Sequence, residues 1–398
     1  MSSSQLLRID DPHTTRQPPA LLRLAFRPFY LLAAALAAIA VPLWLAGYQG
    51  LLPLDLLWHS HEMVFGFAGA VIVGFLLTAS RNWTNLWTPR GASLAALALL
   101  WIAGRAAMLA TGSAAPAIAL AARAIDVAFL PAAAWALLRV LLRANSRRNY
   151  PVAAILALLS LANITYHAAA LGWLAISPLT PVHGAILLVT LLEAVIGGRV
   201  IPMFTANGAP GSKPRSLAWR DKAALALIAL TALAWLLAAP ALLTAALAFA
   251  AAAVNAARLY GWAPPSTLRV PLLWVLHLAY AWIAGGLLLL GFAALGLGSA
   301  SSAFHALAVG AMSGLIIGMV TRTALGHTGR PLKAGRAESF MYYLLEGGAV
   351  LRLCANIPGG KRDQLLVISA ACWSAAFLLY LIVYTPYLSQ PRLDGREG

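Results

Sequence analysis

The chain has 398 residues, of which 61% are hydrophobic and 10% charged, with a mean hydropathy of +0.80. Soluble domains carry about 25% charged residues, so the composition excludes a water-soluble globular fold and defines an all-α polytopic membrane protein. The net charge of +16 does not indicate a nucleic-acid partner, because the basic residues are dispersed between apolar stretches and form no basic domain or face.

Residues 1–20 are polar and carry prolines, without the short apolar core of a signal peptide. The expected organisation is a cytoplasmic tail over 1–21, one transmembrane domain over 22–388 and a second cytoplasmic tail over 389–398. A hydrocarbon core about 30 Å thick needs about 20 apolar residues of helix. Runs of that size predict twelve spans, at 22–46, 56–79, 91–111, 115–142, 150–172, 178–204, 218–238, 240–261, 269–297, 302–325, 338–357 and 364–388. The seventh and eighth are parted only by the turn around Pro240.

The basic residues fix an orientation. Arg8, Arg16, Arg23 and Arg27 precede the first span, and Arg81 and Arg90 follow the second. Arg139, Arg143, Arg147 and Arg148 follow the fourth, and Arg199, Lys213, Arg215, Arg220 and Lys222 the sixth. Arg258 and Arg269, then Arg322, Arg330, Lys333 and Arg336, and finally Arg392 and Arg396 complete that side. The other side has only Lys361 and Arg362. Both termini are therefore expected in the cytoplasm, with the lipid bilayer as the chain's first partner.

His61, His183 and His305 recur at intervals of 122 residues, each opening a long apolar run at its outer end. Intramembrane histidines are rare and need partners, and a shared metal or haem is the job such a pattern suggests. It also suggests three four-helix units, with histidine at one end of spans 2, 6 and 10 and Arg81, Arg199 and Arg322 at the other. His59 and His61 lie two apart, about 200° around a regular helix. Either the helix starts between them or they serve two sites. Trp58 beside them also fits an interfacial belt in which both rings are solvated. Glu62 shares a face with His59, and Gly66, Ala70 and Gly74 continue it as a small-residue stripe that admits a neighbouring helix or a flat macrocycle.

His167 ends span 5 and His183 opens span 6 across a short loop, as ligands or as helix-end hydrogen-bond partners. His305 precedes Gly310, Gly314 and Gly318, again on one face. His305 and His327 lie roughly 33 Å apart along one helix and cannot share a metal. Thr321, Arg322 and the run Gly326-His327-Thr328-Gly329-Arg330 form an inner cluster suited to an anion, a haem propionate or a partner, or a charged loop. His277 reads as a satisfied core histidine. Among the carboxylates inside spans, Asp126 with Arg123 one turn earlier reads as a neutralised pair. Glu193, without a basic neighbour, is the candidate for proton movement. Cys354 and Cys372 give no disulfide framework, and no C-x-x-C-H exists for covalent haem.

Several long segments resemble the NnrS family. They are Phe26-Arg27-Pro28-Phe29, Trp58-His59-Ser60-His61-Glu62-Met63, Gly74-Phe75-Leu76-Leu77-Thr78, Asn82-Trp83-Thr84, Gly198-Arg199-Val200-Ile201-Pro202 and Gly326-His327-Thr328-Gly329-Arg330. The resemblance implies an inner-membrane protein that binds haem and copper and is linked to denitrification and nitric-oxide stress. A weaker, architectural similarity is to haem–copper oxidase and nitric-oxide reductase catalytic subunits, whose twelve helices form three pseudo-repeats. The chain departs from them in having no His-His pair at span 7 and no second histidine beside His305.

The expected function is a haem-bearing membrane protein, with copper as an additional candidate metal, that handles nitric oxide or protects against it. His61 and His305 are the expected ligands of non-covalent haem b, with His59, His183 and His167 at copper or a second haem. Glu62 would orient an imidazole, and Arg322 would face a propionate. Nitric oxide or a related small molecule, and an electron donor or partner membrane complex, are the expected partners. A metal-ion or solute transporter and a membrane scaffold or sensor are the competing classes.

Overall fold

In hydrocarbon every backbone N–H and C=O must find its partner within the chain, and the apolar runs accordingly become helices. The structure is a computed structural model describing residues 17–112, 115–357, 359 and 361–396. Most of the expected N-terminal tail and the last two residues of the C-terminal one lie outside the described residues.

The described residues contain no strand and twelve long helices. These are α1 (Phe26–Tyr48), α2 (Leu56–Thr84), α3 (Ala92–Met108), α4 (Pro116–Arg143), α5 (Tyr150–Ala170) and α6 (Leu179–Gly208). There follow α7 (Ala218–Leu236), α8 (Ala241–Gly261), α9 (Pro271–Ala294), α10 (Ala300–His327), α11 (Arg336–Cys354) and α12 (Arg362–Ser389). Proline stands in the first turn of α4, α5 and α9, where its missing N–H costs no helical bond.

Nine of these helices are long and apolar enough to cross a membrane, which makes the chain a multi-pass membrane protein. The other three are α3, α7 and α11, four helices apart in each case. The first has only 17 residues. Arg220, Asp221 and Lys222 interrupt the apolar run of α7, and Arg336, Glu338, Glu346 and Arg352 that of α11.

Each helix packs against its chain neighbours, and α12 packs against α1, which closes the order into a ring. Toward the middle, α6 touches both α2 and α10, and α2 and α10 are the most enclosed helices. One apolar core runs through all of them, with Phe26, Phe29, Phe67, Leu187, Leu276, Ile317 and Phe377 among its buried members.

The turns at one end of the bundle repeat a single design. After α1, α5 and α9 the chain turns through Gly50, Gly172 and Gly296, each in the left-handed region at φ of 76°, 73° and 71°. In each, the next residue's N–H reaches back five residues, Leu51 to Ala46, Trp173 to Ala168 and Leu297 to Phe292. This is the glycine-dependent Schellman ending, and it delivers the chain into α2, α6 and α10, the helices that His61, His183 and His305 open.

Candidate metal centre

Asp55 caps α2 by accepting the Trp58 N–H at 2.8 Å. The helix therefore begins before both histidines, and the two rings leave on different sides. From Glu62 to Ala68 the helix widens into a π turn, a form that concentrates at functional sites. An equivalent π segment, Ala306–Met312, follows His305 in α10.

His61 points into a buried cluster built by four helices. Its Nδ1 lies 3.1 Å from Glu62 Oε1, and its Nε2 lies 2.9 Å from Asn163 Oδ1 and 3.1 Å from Asp126 Oδ2. Asp126, on α4, also faces His167 Nε2 at 2.8 Å and accepts from Asn163 Nδ2 at 3.0 Å, both from α5. Arg105, in the last turn of α3, donates to Glu62 at 2.6 Å and pairs with Asp126. Gly66 leaves the space this guanidinium fills, since a Cβ there would stand 2.8 Å from Arg105 Nη1. The stripe beginning at Gly66 thus admits an arginine at its top and a helix lower down, where Gly74 lies against Phe29 of α1.

The chemistry follows from the donors and acceptors. An imidazole with both nitrogens facing oxygen acceptors must carry two protons or share one side with a cation. His61, Asp126 and His167 each offer one ligand atom, all within 4.8 Å of one another. Two imidazoles and one carboxylate form a donor set suited to a transition-metal ion. Glu62, bonded to the far nitrogen of His61, and Asn163, bonded to Asp126, are placed to orient the ligands.

The expected pairing of Asp126 with Arg123 is not what forms. Arg123 instead contacts His167 Nδ1 at 3.4 Å and the Thr111 carbonyl at 3.3 Å. Helix spacing made Arg123 the local choice, but Arg105 reaches the acid across the α3–α4 packing. Arg105 and Asn163 did not stand out in sequence. The usable signals were an arginine inside an apolar helix without an acid on that helix, and an amide one turn before His167.

The remaining histidines lie elsewhere. His59 stacks on Trp44 at 4.4 Å between ring centres, and its buried Nδ1 has no hydrogen-bond partner. His305 Nδ1 lies 2.7 Å from the Ser301 carbonyl, which leaves Nε2 for another partner. Arg352, in the last turn of α11, stands in electrostatic range of both His59 and His305. His183 stacks flat on Phe304 at 3.8 Å, and Trp235, in the last turn of α7, donates to it at 3.5 Å. The structure therefore brings His61 together with His167, and His305 near His59, while His183 stacks on Phe304, the residue before His305.

At the opposite end, Arg322 lies over the Phe204 ring at 3.8 Å. The C-terminal tail covers the Gly326–Arg330 run, with Arg392 donating to the His327 carbonyl at 3.0 Å. The hydrogen-bonded pair with Arg392 also holds the Asp394 carboxyl below its usual range. His277 is buried and bonded to Thr205 at 2.8 Å. Gly310, Gly314 and Gly318 pack α10 closely on α9, against Trp282, Ala279 and Leu276.

Fold and site together define a polytopic helical membrane protein with a buried histidine–carboxylate–arginine cluster at one end of its bundle. A sequence profile described as NnrS protein matches residues 20–392, and the chain belongs to the NnrS family. The family links it to nitric oxide and to metal cofactors in general. No curated protein matches the sequence.

The donor atoms present are of the kind that both implied groups require. The N,N,O set of His61, His167 and Asp126 suits a copper ion or another transition metal. For haem, the bond from His305 to a backbone carbonyl leaves the opposite nitrogen for iron, which is the usual arrangement of a ligating imidazole. The orphaned Nδ1 of His59 is a second open donor in the same region.

Proposed function

We propose that the protein is a metal-bearing inner-membrane protein that handles nitric oxide or protects the cell against it. Its metal, copper in the leading assignment, is held by His61, Asp126 and His167. The observation that carries this reading is the His61 ring, with oxygen acceptors at both nitrogens and a second imidazole sharing its carboxylate. Haem b completes the proposal: His305 would hold it, with His59 beside it. His183 is the reserve ligand, whereas Arg322 stands about 25 Å along α10 from His305 and is out of reach of a propionate on that haem. Bound transition metal would supply a site that coordinates nitric oxide and exchanges an electron with it. The chain's own contribution is to fix the imidazoles, exclude water and neutralise the carboxylates through Arg105.

The proposed topology has twelve crossings, both termini in the cytoplasm and the His61 end facing outward. The rows of arginine at the opposite end support it. Three four-helix units, α2–α5, α6–α9 and α10–α12 with α1, are supported by the cyclic packing, the three matching glycine turns and the spacing of α3, α7 and α11.

The test is an oxidised-minus-reduced absorption spectrum of the detergent-purified protein, with iron and copper quantified on the same sample. One metal per chain that disappears in His61→Ala and in His167→Ala is the expected result. Full metal content in both variants would sink the assignment.

A further inference from the structure

The mechanism leaves one large feature unused. Between α1, α2, α6, α9 and α10 lies a partly open cavity, about 660 Å³ when the open space at its mouth is counted. Along α6 its wall runs from Val189 to Ile201, about 18 Å at 1.5 Å per residue. It therefore occupies the middle of the bundle and the half away from His61. Its lining is apolar, from Val71, Ile72, Leu276, Leu315 and Ile316 among others, with two polar exceptions, Glu193 and Tyr30.

Both exceptions are chemically unfinished. Glu193 Oε2 is buried without a hydrogen-bond partner. Arg258, on neighbouring α8, does not serve it, because its bonds go to Asp221, the Ala194 carbonyl and Tyr280. The buried Tyr30 hydroxyl likewise makes no hydrogen bond of good geometry, with Thr323 its polar neighbour. Unmet polar groups inside a membrane protein are costly, and retaining two on one cavity calls for a ligand that meets both.

That ligand has a definable chemistry. A hydrated ion would need several oxygen ligands, and the wall supplies one carboxylate and one phenol. An acyl chain would fill the apolar space but leave Glu193 and Tyr30 unpaired. No histidine or cysteine lines the cavity to hold iron. A flat apolar ring that donates an O–H to a carboxylate, and accepts from a phenol at its other oxygen, satisfies the wall. We propose that this cavity binds a membrane-borne hydroquinone, its ring between α6 and α10 and its phenolic hydrogen donated to Glu193. This goes beyond the metal reading and does not depend on it.

The experiment uses full-length protein in detergent, with and without prior metal chelation, and a decyl-substituted benzohydroquinone as probe under reducing conditions. Equilibrium binding is expected to saturate at one probe per chain in both preparations. Ile316→Trp, which fills the space from α10, should weaken binding at least tenfold, and Val200→Phe, filling it from α6, should do the same should the first fail to fold. Glu193→Leu should weaken binding about tenfold while Ser266→Ala, at an exposed turn, leaves it unchanged. Binding untouched by either filling variant would overturn the proposal. So would phospholipid as the only molecule displaced by Ile316→Trp, or haem absorption lost in that variant. Loss of metal at His61 with probe binding intact would strike only the metal assignment.

Discussion

The heads of α2 and α10 present the same backbone device with opposite electrostatics. In both, a glycine turn leads into a short α-helical start, a histidine ends that start, and a π turn follows. In both, an arginine arrives from the last turn of the next helix, Arg105 for His61 and Arg352 in range of His305. Around His61 that arginine meets two carboxylates, Glu62 and Asp126. Near His305 its hydrogen bonds go to Asn356 and Ser301, with no acid among them. A carboxylate-rich pocket favours a multivalent cation, whereas an imidazole steadied by a backbone carbonyl beside a cationic guanidinium favours a ligand bound through a neutral ring. One scaffold thus offers two chemistries, and the acids decide which.

The sharpest way to break this contrast is to remove the shared acid. Asp126→Ala deprives Arg105, His61, Asn163 and His167 of their common acceptor. Stripping one partner from a buried charge network costs about 3–5 kcal/mol. Asp126→Ala should therefore lower the thermal midpoint and abolish metal binding at this centre, while haem absorption, where present, persists. Retained metal in a folded Asp126→Ala protein would remove Asp126 from the ligand set.

The reciprocal test is His305→Ala. It should strip haem absorption and leave the copper content of the His61 centre intact. Its structural cost should stay near 1 kcal/mol, because the ring makes one described hydrogen-bonded contact set, to its own helix at Ser301. Loss of both cofactors in one variant would mean that the two heads form a single site.

What the sequence made legible follows from how local each signal is. Apolar runs announced all twelve helices, down to the break between Leu236 and Ala241 at Pro240, because membrane helices are specified by composition alone. The helices that fall short of a full apolar span are α3, which is brief, and α7 and α11, which carry charges bonded to neighbouring helices. His61 and His167 stood out because histidine is rare in such segments. Asp126 was legible as an intramembrane acid but was assigned the wrong cation, since an i−3 arginine is visible in sequence and a cross-helix one is not. The π turns carry no compositional mark. Asn163, an ordinary polar residue until His61 and Asp126 are placed beside it, was invisible for the same reason.

Arg105 supplies a smaller and more informative effect. Its guanidinium pairs with Asp126 Oδ1 while Oδ2 faces both imidazoles, so it competes with a metal ion for the negative charge of the cluster rather than for the ligand atom itself. Arg105→Met should cost about 3 kcal/mol in chelated protein, where Glu62 and Asp126 lose their cation. Metal should then bind more tightly, by roughly tenfold for each 1.4 kcal/mol of released competition, and should restore part of the lost stability through mass action. Thermal unfolding at several copper concentrations measures both terms. Equal destabilisation with and without metal would mean that the arginine and the ion do not compete.

The smallest effect belongs to the third head. His183 has neither an acid nor an arginine among its described contacts, only the Phe304 face and the Trp235 N–H at a long 3.5 Å. A stacked aromatic pair contributes about 0.5–1.5 kcal/mol beyond its buried area. His183→Phe keeps the stack and loses only that long hydrogen bond, so it should unfold within about 0.5 kcal/mol of the wild type and retain both cofactors. His183→Ala should cost about 1–2 kcal/mol through lost packing alone. If His183→Phe instead loses metal or haem while remaining folded, the α6 head is a ligand site as well, and the division between an acid-built head and acid-free ones no longer sorts the cofactors.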